Sequence, residues 1–98
     1  MGAGGVPNRT VEKVIGRSGD LPARAAKPNS RWDLYTYEGD LIQSRWFDEN
    51  GNAIRNRDYK HQNVFLNHKF PHDHSWEWIN GNPKRSSNPL DPDYEHFN

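Results

Sequence analysis

The sequence predicts a mainly β protein, with α+β as a compatible variant: one small single domain built on a twisted antiparallel meander. Three observations carry this. Runs rich in aromatic and β-favouring residues crowd into residues 31–79. Turn signals separate them, at Glu38-Gly39-Asp40 and at Asp48-Glu49-Asn50-Gly51-Asn52, where Gly and Asn accept positive φ at little cost. The length, 98 residues, is that of one domain.

Residues 1–30 read as a flexible arm or linker. Met1-Gly2-Ala3-Gly4-Gly5 is flexible, residues 11–15 form a short strand or helical turn, and Gly19, Pro22 and Pro28 punctuate the rest. Residues 31–79 form the β-meander with its His-rich segment. The first strand is expected over residues 31–38, the second over 41–47 and the third over 53–59. A polar connection follows, pinned by Val64-Phe65-Leu66. Phe70-Pro71 then starts an extended piece, because proline biases its predecessor to β or polyproline geometry. In that geometry His72 and His74 share one face and Asp73 takes the other. Residues 75–79 are a last short strand or helical turn, ended by Asn80-Gly81-Asn82-Pro83. Residues 80–98 read as a loosely attached polar tail.

Composition narrows the function. Thirteen basic and thirteen acidic residues cancel, so any polyanion must be met by a local patch rather than a bulk field. With no cysteine, disulfides and thiolate zinc sites are excluded. No apolar run is long enough to span a bilayer, so no membrane embedding is expected, and no signal peptide is visible. The apolar share is only 32%, yet it includes four Trp, four Tyr and four Phe, and aromatic rings can build a core from few positions. In the third strand Arg55, Arg57, Tyr59 and His61 alternate onto one face. If the face of Arg45 coincides with theirs, Arg45, Arg55, Arg57 and Tyr59 form a basic, aromatic patch, with Ile42, Trp46 and Ile54 as the core opposite.

Four of the five histidines, His61, His68, His72 and His74, fall within residues 58–78, among Asp58, Lys60, Lys69, Asp73 and Glu77. Histidine titrates near neutrality. Two histidines and a cation suffice for metal-free RNA cleavage, in which the 2′-hydroxyl attacks its own phosphate while one imidazole takes a proton and another gives one. The candidate catalytic residues are therefore His61, His72 and His74, with Asp58 as orienting group and His61 with His72 as the preferred pair. Lys60, Lys69 and Arg57, with Arg45, Arg55 and Tyr59, would hold the substrate. No metal and no cofactor is expected, because few carboxylates stand beside the histidines. The alternatives are a metal-dependent DNase or RNase, using His72-x-His74 with Asp73, Asp58 or His61 as divalent-ion ligands, and a non-enzymatic binding or structural module. Ser75 lacks the elbow sequence of a serine hydrolase.

The pattern Asp58-Tyr59-x-His61, then His68-x-Phe70-Pro71-His72-x-His74-x-Trp76, resembles the C-terminal toxin module of bacterial polymorphic toxins of the contact-dependent and Rhs type. The resemblance spans roughly residues 31–78, and Asn56 stands where that pattern often carries an acid. It implies a secreted effector that delivers a small ribonuclease, built on a twisted antiparallel sheet, into the cytoplasm of a target cell. It implies tRNA or rRNA as substrate and a cognate immunity protein as partner.

Overall fold

A computed structural model describes residues 9–25, 27–60 and 70–98. Six strands form one sheet in chain order: β1 (Thr10–Ile15), β2 (Ser30–Tyr35), β3 (Leu41–Phe47), β4 (Ala53–Asp58), β5 (His72–Ile79) and β6 (Asn82–Arg85). β1 and β2 run parallel and every other neighbouring pair is antiparallel. The described residues contain no helix, hence none long and apolar enough to cross a membrane.

The turns explain the meander. Between β2 and β3, Gly39 adopts φ 93°, and the Thr36 hydroxyl accepts the amide of Asp40 at 3.1 Å. Between β3 and β4, the Asp48 carboxylate accepts the amides of Asn50 and Asn52 at 2.8 and 2.9 Å. Gly51 there has φ 78° and presses against the Ala25 carbonyl, which leaves no room for a Cβ. Between β5 and β6, Asn80 (φ 51°) and Gly81 (φ 79°) alone join the paired residues Ile79 and Asn82. Two consecutive positive φ values give the tight hairpin turn that suits strand twist.

The meander of β2 to β4 matches expectation, but the two ends of the chain differ from it. Of the two readings for residues 11–15 the strand is the one found, as β1, but it is paired into the sheet rather than left in an arm, and the polar tail contributes β6. A parallel pair needs a crossover, so the connection between β1 and β2, described over residues 16–25 and 27–29, returns across one face of the sheet. There Leu21 lands on Leu34 and Ile42, with Val14 and Trp32 packed against them. Leu34 pairs with Gln43 and Tyr35 with Leu41, so Ile42 is the extra residue of a bulge, which lets it join the Leu34 cluster. Trp32 also meets Phe47 edge-on at 5.9 Å. Burying Leu21, Leu34 and Ile42 contributes about 1.5–3 kcal/mol each.

The opposite face is covered by the C-terminal residues, which act as a strap. Leu90 and Asp73 exchange both backbone hydrogen bonds, at 2.9 and 2.8 Å. Phe97 meets the buried Trp46 edge-on at 5.5 Å, and Trp46 Nε1 donates to the Asn98 carbonyl at 3.3 Å. The tail is thus fastened through backbone groups and arginine contacts that its polar composition does not announce.

Candidate functional site

Register decides which side chains meet. One rung runs Leu34, Gln43, Asp58, His72 across β2 to β5, and the next runs Trp32, Arg45, Asn56, His74. Directly opposed residues share a face, so all eight lie on the crossover face. Asp33, Ser44, Arg57 and Asp73 form a rung on the strap face.

On the crossover face, Asp58, His72 and His74 converge, and all three are buried. Asp58 Oδ2 lies 3.2 Å from His72 Nε2 and 3.7 Å from His74 Nε2. The two imidazoles stand edge to face with centroids 5.1 Å apart, and the Phe70 ring lies 4.7 Å from that of His72. The other Asp58 oxygen, Oδ1, accepts from Gln43 Nε2 at 2.7 Å and Asn56 Nδ2 at 3.2 Å. Asn56 is held in turn by Trp76 Nε1, which donates to its Oδ1 at 2.7 Å. His74 Nδ1 meets the Ser86 carbonyl at 2.9 Å. Burial pushes the His74 pKa down, and the charges of Arg85 and His72 act the same way, against the Ser86 bond and Asp58.

Arg45 does not join the patch proposed with Arg55, Arg57 and Tyr59. It opposes Asn56 and so lies on the other face from Arg55 and Arg57. Its guanidinium donates to the carbonyls of Leu21 and Pro22 at 2.6 and 3.1 Å and lies 4.8 Å over the Trp76 ring. Burial and then Arg85 push its pKa down to about 10, with Asp58 pulling up. At neutral pH it stays a fixed positive charge near the cluster. On the strap face, Arg57 and Arg55 bind Asp73 at 2.7 and 2.9 Å, and the Tyr59 hydroxyl shares a 3.1 Å hydrogen bond with Ser44. Lys60 is exposed and pairs with Asp40 at 3.2 Å. These cations are committed to internal or surface partners. His61 and Lys69 lie outside the described residues.

The structure thus brings together three of the four expected catalytic residues, His72, His74 and Asp58. It also changes a premise, because a carboxylate does stand beside the histidines. Sequence reasoning missed Gln43, Asn56 and Ser86, which hold the cluster, and Arg85. Arg85 opposes Trp76, is exposed, and acts electrostatically on both His74 and Arg45. Strand alternation about the Asn80-Gly81 turn was the available signal for Arg85.

Chemically, a buried carboxylate against two imidazoles can orient a general acid or base, or bind a cation. No protein-family model, curated protein or solved structure matches this chain.

Proposed function

We propose that this chain is a nuclease domain of the delivered-toxin kind, cleaving RNA at the Asp58–His72–His74 cluster and held in check by an immunity protein. In this reading it travels as part of a larger secreted effector and acts in the target-cell cytoplasm on tRNA or rRNA. The observation that carries the proposal is the meeting of both histidines of the toxin-like Pro71-His72-x-His74 motif at one oxygen of Asp58, the acid of the Asp58-Tyr59 motif. Arg85 stands at the rim as the cation to receive phosphate.

Two chemistries fit. In the metal-free route His72 and His74 exchange protons with the attacking 2′-hydroxyl and the leaving 5′-oxygen. In the metal-dependent route they are ligands. The second gains support from the direction of both Nε2 atoms toward the same carboxylate oxygen, rather than toward two separated oxygens of a phosphate.

The test is cleavage of end-labelled tRNA and rRNA by the purified chain. His72→Ala and His74→Ala should each lose at least roughly 100-fold in rate, the usual worth of a general acid or base. Arg85→Ala should raise KM more than it lowers kcat. Both histidine variants cutting at the wild-type rate would remove the cluster from catalysis. An inert wild-type chain, with no toxicity on expression, would leave the binding-module reading.

A further inference from the structure

The tautomer of His74 places a demand on what lies between the three residues. The Ser86 carbonyl, 2.9 Å from Nδ1, can only accept, so Nδ1 carries the hydrogen. A neutral His74 then presents the Nε2 lone pair, and this atom faces Asp58 Oδ2 at 3.7 Å. Two buried acceptor atoms turned toward each other need a positive centre between them. His72 Nε2 reaches the same oxygen at 3.2 Å, and the three candidate ligand atoms lie within 4.8 Å of one another.

The spacing matches an ion. Bonds of about 2.0–2.1 Å from zinc to nitrogen and oxygen, in tetrahedral geometry, hold neighbouring ligands roughly 3.3 Å apart. The observed separations of 3.2 and 3.7 Å bracket that value. The surroundings match as well. Metal-binding histidines commonly donate their second N–H to a carbonyl or carboxylate, and metal-binding carboxylates are themselves hydrogen-bonded. Here Ser86 fixes His74, and Gln43 and Asn56 hold Asp58 Oδ1 so that Oδ2 is left to face the imidazoles. Two imidazoles with one carboxylate suit zinc and its first-row neighbours, whereas magnesium and calcium prefer oxygen.

We infer that Asp58 Oδ2, His72 Nε2 and His74 Nε2 form a three-ligand site for a divalent transition-metal ion, zinc foremost, with a further position open to water. The inference rests on this geometry alone, so it stands or falls separately from RNA cleavage. Where both hold, the ion is the Lewis acid of the reaction.

The test is cobalt titration of the full chain after chelator treatment, read by visible absorption. One cobalt ion per chain should bind with the intense bands of tetrahedral coordination, and zinc should displace it. Zinc, but not magnesium, should raise the melting temperature. Asp58→Asn and His74→Gln, which keep side-chain shape, should weaken cobalt binding at least tenfold, while His96→Ala should not. Absent or pale six-coordinate absorption in the wild type would overturn the inference, leaving a proton shared between Asp58 and the histidines. Unchanged affinity in both ligand variants would overturn it too, by assigning the ion to other histidines. If one ligand variant fails to fold, the other still assigns the ion, and a wild-type chain without tetrahedral bands overturns the inference whatever the variants do.

Discussion

Two buried aspartates on neighbouring strands, Asp58 and Asp73, show opposite ways to place a negative charge inside a thin protein. Asp73, on the strap face, is saturated. Arg57 reaches both of its oxygens at 2.7 and 3.1 Å, Arg55 adds a bond at 2.9 Å, and the Asp93 amide adds one at 3.0 Å. The Arg57 guanidinium also lies over the rings of Trp46 and Tyr94, at 4.9 and 4.3 Å from their centroids. Asp58, on the crossover face, receives neutral amides on one oxygen and titratable imidazoles on the other. A permanent countercharge makes a lock. A titratable or exchangeable one makes a site.

The largest effect expected is from breaking the lock. Asp73→Asn leaves two arginines without their carboxylate and should cost about 3–5 kcal/mol in urea unfolding, as for other buried pairs broken from one side. Asp58→Asn in the metal-free chain should cost about 1 kcal/mol or less. It removes a charge that Arg45 feels through space but that touches only imidazoles and neutral amides, and it keeps an acceptor for Gln43 and Asn56. Equal costs for the two substitutions would erase the distinction drawn here.

Acid should separate the two faces further. Burial acts to raise the Asp73 pKa, but the bonds from Arg57, Asp93 and Arg55 outweigh it and hold the carboxyl below its usual range. Its stabilisation is therefore complete above the unfolded value of about 3.9 and is lost as pH falls through the folded value. His74 is lowered as well, by burial first. Its neutral form belongs to the fold, so below the unfolded value of about 6.5 the unfolded chain takes up the proton first and stability falls with pH. In metal-free protein, melting temperature should decline in two steps, one starting near pH 6.5 and one below pH 4. His74→Gln should flatten the first step and leave the second.

The remaining contrasts are smaller. The Arg55 side chain is more exposed than that of Arg57, at 15% against 3%, so Arg55→Gln should destabilise less than Arg57→Gln in the same urea series. His96→Ala should stay within about 0.5 kcal/mol, because its pairing with Asp93 lies at the surface.

Legibility in the sequence followed the range of the interaction. Strands β2, β3 and β4 were readable because Gly39 and Gly51 fix their turns locally. Opposite faces for His72 and Asp73 were readable because alternation is a property of one strand. The meeting of Asp58 with His72 was not, since the register of β5 on β4 is set by packing across a long connection. The faces of Arg45 and Arg57 were misjoined for the same reason: which residues oppose each other depends on the bulges in β3 and β4. A strand at residues 11–15 was one of two readings, but its place in the sheet escaped because its partner β2 lies beyond a crossover. The strap escaped because most of its hydrogen bonds are made by backbone carbonyls and amides, which carry no side-chain signature.

The strap also has a consequence in time. Contacts between β2, β3 and β4 join residues close in sequence, whereas the bond from Trp46 to Asn98 spans 52 positions. Pairings between near neighbours close first, and distant ones must wait for the chain loops to be ordered. The meander is then the folding nucleus and the strap closes late. Loosening the strap at Phe97 should accelerate unfolding while leaving the refolding rate nearly unchanged, so the C-terminal residues govern how long the folded chain persists rather than how fast it forms.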